Sequence, residues 1–253
     1  MEFAAGCLNR VLTFLVEPVL TKLLEKKGEF ELKYTFANMT KTSLESWLRV
    51  NCKQDPSYPE SRVHSIYLET NLAESYQEKV NSDFFKTKYR VRWYENRHGQ
   101  PFSEGPTVPV FLENKMKIGS KRLKNRWVVD EDFNKLTTQS LNSTFHSKWY
   151  KLFLGFKDEI IPNLHPFIQI SYTRKRFIDS ITNTRLSLDF DIRVERTNSI
   201  LLPPPHRITL PVGVFEVKSK SNYPPQSLAY LTTNLVKKAN FSKYGECVSS
   251  VEM

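Results

Sequence analysis

The alternation of apolar and polar positions predicts strands along most of this chain, with helices between them. The clearest stretch is Lys88 to Tyr94 (KYRVRWY): Lys88, Arg90 and Arg92 fall on one face, and Tyr89, Val91 and Trp93 on the other. Three cations at i, i+2 and i+4 stand about 7 Å apart on one side of a sheet, where they repel unless something anionic lies over them. Glu29 to Tyr34 alternates in the same way, with Glu29, Glu31 and Lys33 opposing Phe30, Leu32 and Tyr34. Further strands are expected over 62–69, over 107–116 with Glu113, Lys115 and Lys117 sharing a face, over 166–177, over 184–194 and over 212–220.

Helical spacing appears in five places. Residues 8–27 carry Leu8, Val11, Leu12, Leu15, Val19, Leu20, Leu23 and Leu24, interrupted by Pro18 and closed by Lys26-Lys27-Gly28. Residues 40–52 have a Leu44, Trp47, Leu48 stripe behind a Thr or Ser cap. Residues 72–80 predict a short helix. Residues 131–155 predict a longer one, with Phe145, Trp149, Leu152 and Phe153 buried, and the last runs from Pro224-Pro225 through Lys238. Residues 117–126 (KIGSKRLKNR) read as a basic, solvated connection, and Pro203-Pro204-Pro205 as a rigid one. No repeat or linker divides the chain, so one domain over 28–245 is expected, with a helical extension at 1–27 and a tail at 246–253.

Most strands therefore carry ionic side chains on one face and apolar ones on the other. A one-sided sheet facing water would share this pattern, but these polar faces are rich in Arg and poor in Ser and Thr, and striped helices are available to cover the apolar faces. With the helices packed outside a closed sheet, the ionic faces line a polar tunnel. The whole chain has 37 Lys plus Arg against 27 Asp plus Glu and a net charge of +10, which points to an anionic partner. The few tunnel glutamates cannot neutralise so many bases, and a multiply charged phosphate compound fits the surplus. Cys7, Cys52 and Cys247 lack zinc or disulfide spacing and fit a reducing, cytoplasmic setting. No apolar run approaches the ~20 residues of a membrane span. No Ser-His or Cys-His arrangement suggests a protein nucleophile, the five histidines show no ligand spacing, and no aromatic stacking platform suggests nucleic acid.

Glu29-Phe30-Glu31-Leu32-Lys33 has the ExExK form of the CYTH, or triphosphate tunnel metalloenzyme, superfamily. Eight segments resemble, in order, its VTC polyphosphate polymerase branch: ELKY at 31–34, RVHSIYLET at 62–70, KYRVRWY at 88–94, FLENKMK at 111–117, ISYTRKRF at 170–177, TRLSLDFD at 184–191, VFEVKSK at 214–220 and SKY at 242–244. The resemblance implies an α+β fold with an eight-stranded antiparallel β-barrel and helices packed outside. It implies phosphate contacts from Lys33, Arg90, Arg92, Lys115, Arg174, Arg185, Lys218 and Lys243, with Tyr172 and Ser242 also at the substrate. Arg90, Arg92, Lys115, Arg174, Arg185 and Glu216 would be catalytic. Glu216, with Glu31, would hold Mn²⁺ or Mg²⁺, and Glu113 would support the site.

Lys88, Lys117, Lys121, Arg176 and Lys220 are expected in solvent at the tunnel mouths. Asp189 and Asp191 either assist the metal or pair with neighbouring arginines. The implied reaction is transfer of the terminal phosphoryl group of ATP to a growing polyphosphate chain. The alternatives are hydrolysis of tripolyphosphate or polyphosphate, and binding of polyphosphate without turnover. Phosphate sensing and coupling to transport, as in the eukaryotic relatives, are not carried over.

Overall fold

The computed structural model describes residues 30–119, 121–155 and 163–252, so the helix expected at 8–27 and Glu29 of the ExExK motif lie outside the described residues. Its strands, in chain order, are β1 (Phe30–Ala37), β2 (Cys52–Gln54), β3 (Glu60–Glu69), β4 (Phe85–Glu95), β5 (Thr107–Ile118), β6 (Lys121–Asp132), β7 (His165–Asp179), β8 (Arg185–Thr197), β9 (Val212–Ser219) and β10 (Lys237–Lys238). They form one antiparallel sheet in the order β10-β1-β9-β8-β7-β3-β4-β5-β6, with β2 pairing on β7. The α+β expectation holds, and the eight long strands are those of the expected barrel; β2 and β10 are additional short strands.

The sheet rolls up. β1 and β5 are six steps apart in the strand order, or about 29 Å on a flat sheet. Yet Lys115 Nζ on β5 lies 3.3 Å from Glu31 Oε2 on β1. Among the described residues no ladder joins the two edges of the roll, so the closed barrel is corrected to an open one. Its seam is spanned by side chains instead: Arg122 Nη1 of β6 donates to the Glu31 carbonyl at 3.3 Å.

The helices α1 (Lys41–Asn51), α2 (Glu74–Val80), α3 (Phe133–Thr138), α4 (Thr144–Gly155), α5 (Ala229–Asn234) and α6 (Lys243–Glu252) complete the fold. Leu44 and Leu48 of α1 and Leu231 of α5 pack on Leu32, Tyr34, Phe36, Phe215 and Val217, the outward set of β1 and β9. Trp149 and Phe153 of α4 and Leu136 of α3 cover Val91, Trp93 and Leu112 on the other side of the roll. Close approach at Gly213 makes room for Phe36: a Cβ there would stand 2.1 Å from the ring. Helix α6 differs from these. Its Tyr244 stacks on Tyr67 at 4.6 Å, and Cys247, Val248 and Val251 join Val63, Ile170 and Tyr172, so the helix fills one end of the barrel. Residues 246–252, read as a tail, are the body of this helix. No helix among the described residues is long and apolar enough to cross a membrane.

Four local expectations are corrected. Residues 117–126 are not a connection: β5 runs to Ile118, the chain turns at Gly119 (φ 57°) and returns as β6. The density of basic residues had the look of a loop, although Arg122, Lys124 and Arg126 alternate with Leu123, Asn125 and Trp127. Residues 131–155 are not one helix. Asp132 ends β6 and caps α3 by accepting from the Lys135 amide at 2.8 Å, and α4 follows after a break. The segment to Lys238 leaves the helix at Asn234 and pairs with β1 as β10. Thr40 stands before α1 but makes no cap bond, its hydroxyl donating to the Ala37 carbonyl instead.

Candidate functional site

Inside the roll, the inward positions of seven strands and the start of α6 carry an ionic network. Its first centre is Glu113, whose side chain is wholly buried. Arg90 approaches it at 2.7 Å through Nε and 2.6 Å through Nη2, Arg126 at 2.5 Å and Arg92 at 3.8 Å, and the Lys124 ammonium also pairs with it. Burial alone would raise the Glu113 pKa, but Arg90, Arg92 and Lys124 hold it far below the usual carboxylate range. One buried anion thus organises four cations on β4 and β6.

The second centre pairs Asp189 with Glu216. Arg174 makes a two-point contact with Asp189 (Nε to Oδ1 2.6 Å, Nη2 to Oδ2 2.5 Å) and reaches Glu216 Oε2 at 2.8 Å. Lys243 Nζ bridges the same two acids at 2.6 and 2.9 Å. Against the cost of burial, Lys243 and Arg174 keep Glu216 well below its ordinary pKa. Asp189 therefore pairs with arginine and lysine, the second of its two readings. Asp191 does not share its face: φ is 53° there, the β7–β8 register shifts, and its carboxylate turns to Arg62 at 2.8 Å on the outer surface.

The third centre is Glu31, 3.3 Å from Lys33, 3.3 Å from Lys115 and 3.9 Å from Arg122. Lys33 Nζ is also 3.9 Å from Glu216 Oε1, which joins the second and third centres. Tyr172 lies between the first two: its hydroxyl accepts from Arg92 at 3.3 Å, and Lys243 Nζ stands 4.9 Å from its ring centroid.

The structure therefore brings together Glu31, Lys33, Arg90, Arg92, Lys115, Tyr172, Arg174, Glu216, Ser242 and Lys243. Arg185 and Lys218 are directly opposed on β8 and β9 at an exposed rim. Lys220 is exposed, whereas Arg176 donates to the Tyr58 carbonyl at 3.1 Å and Ser61 Oγ at 3.0 Å. Lys88 is corrected: it is half-buried on the inward face, its Nζ donating to Ser242 Oγ at 3.2 Å. Arg122, Lys124 and Arg126 were missed because their strand was read as a loop, although they repeat the spacing of Lys88, Arg90 and Arg92.

A divalent cation can be tested against this donor set. No group of three or more His, Cys, Asp or Glu with metal-site geometry occurs among the described residues. Glu31 Oε1 and Glu216 Oε1 nevertheless both face the Lys33 ammonium, at 3.3 and 3.9 Å. Two carboxylates around a cation suit a hard ion that takes its remaining ligands from phosphate and water. The residues fit such an ion.

An antiparallel roll around a cation-lined channel, with acids spaced among the cations, is a tunnel-type α+β domain. The chain belongs to the VTC domain family, whose model matches residues 25–252. No curated protein matches it. Among solved structures it is similar to a Bacillus halodurans protein described as a candidate adenylate cyclase, at 14% identity and TM-score 0.48, over 84% of this chain and 94% of that one. A Vibrio parahaemolyticus protein with the same description matches at 10% identity and TM-score 0.42, over 88% and 99%. The PH1012 protein of Pyrococcus horikoshii matches at 13% and 0.40, over 87% and 99%. None of these three scores reaches 0.5, and the family assignment rests on the family model.

Proposed function

We propose that this chain is a polyphosphate polymerase that moves the terminal phosphoryl group of ATP onto phosphate or a growing chain inside the channel. The observation that carries the reading is the surplus of inward cations over acids: four share the single carboxylate of Glu113, and Lys88 has no acid within ion-pair distance among the described residues. Such a channel is short of negative charge, and a chain of phosphates supplies it at regular intervals.

In the reaction proposed, an oxygen of the acceptor attacks the γ-phosphorus. The bond to the bridging oxygen of ADP breaks, and its electron pair leaves with ADP. The protein's task is to align these oxygens and to neutralise charge as it shifts, so no protein nucleophile is needed. Arg90, Arg92 and Arg174 present planar forks to the equatorial oxygens. Lys33, Lys115 and Lys243 act as point charges, with Tyr172 and Ser242 adding hydroxyl contacts, while Arg185 and Lys218 receive the chain at the rim. Glu31 and Glu216 would hold Mn²⁺ or Mg²⁺, which supplies Lewis-acid stabilisation of the transferring group when bound. Free, buried Cys52 and Cys247 suit a reducing compartment, and the proposed location is cytoplasmic.

Hydrolysis is a second reading, favoured by the approach of both Glu31 and Glu216 to Lys33, since two acids around a metal can also orient a water. Product analysis separates the two. Incubation with ATP and Mn²⁺ is expected to yield chains on a gel, abolished in Arg92→Ala and retained in Lys53→Ala, an exposed position on the outer strand β2. Equal chain synthesis in both variants overturns the assignment. Orthophosphate released from tripolyphosphate without chain growth decides for hydrolysis, and tight binding with neither product decides for a binding module.

A further inference from the structure

Lys88 stands apart from the other channel cations. Two residues along β4, Arg90 has a carboxylate; Lys88 Nζ has a hydroxyl and a ring, Ser242 Oγ at 3.2 Å and the Tyr244 centroid at 4.9 Å. The same Ser242 oxygen accepts from the Gly245 amide at 3.2 Å, so the lysine is docked on the oxygen that caps the first turn of α6. Charged groups reach it from every side: Lys33 from β1, Lys115 directly opposite on β5, Lys79 and Glu78 from α2, and Glu69 from β3. Glu69 is engaged elsewhere, accepting from the Tyr244 hydroxyl and from the Ser75 amide at 3.0 Å. Lys33 and Lys115 both share Glu31. Lys88 thus faces two lysines across a gap whose acid is already taken.

We infer that Lys88 is a further phosphate-binding residue of the channel, docked on the helix cap when the channel is empty and drawn off it, with uptake of a proton, when a phosphate chain occupies the gap between Lys88, Lys33 and Lys115. This rests on reading the channel as a phosphate-chain site. The physical cause is mutual: burial, with Lys33 and Lys115 nearby, lowers the Lys88 pKa to about 7, and a polyanion between the three ammonium groups reverses the repulsion and refills the amine with a solvent proton. An arginine would stay charged in both states. Lysine here lets the empty channel shed a charge that the filled channel regains.

The test is calorimetric titration with sodium tripolyphosphate near pH 8 in buffers of different ionisation heat, which counts protons taken up per ligand bound. Wild type is expected to take up close to one more proton than Lys88→Arg, whose charge is permanent. Lys88→Met, which keeps an unbranched stem, should lose the same proton and bind about tenfold more weakly; it decides the question if the arginine disturbs packing. Exposed Lys53→Met should match wild type. Equal proton uptake in wild type and both Lys88 variants, with tripolyphosphate binding intact, overturns the role of Lys88 and leaves the channel reading standing. Failure of wild type to bind tripolyphosphate overturns that reading and this inference with it.

Discussion

Arg90 and Glu113 face each other across β4 and β5, with Nη2 and Nε of the arginine 2.6 and 2.7 Å from the same carboxylate oxygen. The other oxygen, Oε1, is held from β6 by Arg126 at 2.5 Å and by the Lys124 ammonium. This single buried acid fastens two strands' worth of cations and sets the direction in which Arg90 and Arg92 point. Glu113→Gln leaves those arginines buried against a neutral amide. Losing one partner of a buried pair costs about 3–5 kcal/mol; Lys124 and Arg126, more than a third exposed, can turn to water, so the lower end is expected. Urea unfolding should show the loss, and saturating tripolyphosphate should recover part of it by binding only the folded state. A loss below about 1 kcal/mol would mean that the hub is decorative.

Arg174 contacts three acidic oxygens with one planar group, a geometry that lysine cannot copy. In Arg174→Lys the charge stays while the fork is lost. Lys243 still bridges Asp189 and Glu216, so the fold should persist. Chain synthesis at saturating ATP should fall by about 10²–10³, the range for removing an oriented stabilising donor. Measured kcat within twofold of wild type would show that charge alone suffices at this position.

The lysines of the empty channel predict an unusual pH profile. Burial, aided by neighbouring cations, lowers Lys88 to about 7; burial in the same way lowers Lys115 and Lys124 to about 8, Glu31 and Glu113 holding them partly up. In the unfolded chain each keeps its proton to about pH 10.4. Between these limits the unfolded state binds more protons, so stability rises with pH through this window. The acids add nothing there. Glu31, Glu113 and Glu216 have depressed values, so their contribution is full above the ordinary carboxylate range and is lost only as pH falls well below it. Thermal melts at fixed ionic strength should show the midpoint climbing from pH 7 to 9 without ligand, and climbing less with tripolyphosphate. A midpoint that falls across this range without ligand contradicts the assignment.

Much of this site was legible because period two assigns faces. That Arg90/Arg92, Glu113/Lys115, Tyr172/Arg174 and Glu216/Lys218 share faces follows from alternation, and the helices available to cover the apolar faces turn the ionic ones inward. Three things did not follow. The alternation of Arg122, Lys124 and Arg126 was outweighed by their charge density, which resembles a solvated loop until the pairing with β5 supplies Glu113 as counter-ion. Lys88 was assigned to solvent from its place near a strand end, but strands in a rolled sheet are staggered, and α6 enters beside it. Asp191 has the parity of Asp189, and only the register shift with its left-handed backbone turns it outward. Stagger, plug and bulge are tertiary events that leave little trace in local pattern.

The seam of the roll gives the last prediction. Among the described residues β6 and β1 share no ladder, and Arg122 crosses between them, donating to the Glu31 carbonyl at 3.3 Å and lying 3.9 Å from its carboxylate. The Lys115–Glu31 contact is a second tie across the same gap. Arg122→Ala removes one tie, at a cost of about 1 kcal/mol for the hydrogen bond, and leaves the ladders of β4, β5 and β9 intact. The effect should therefore be local: hydrogen exchange in a peptide spanning Phe30–Ala37 should quicken, while one from β4 should not change. A polyanion bound as proposed would touch Lys33 on one edge and Lys115 near the other, so tripolyphosphate should draw the seam together and suppress the difference. If exchange in β1 is the same in variant and wild type, the arginine is not what holds the edges, and the Lys115–Glu31 pair is the tie among the described residues to test next.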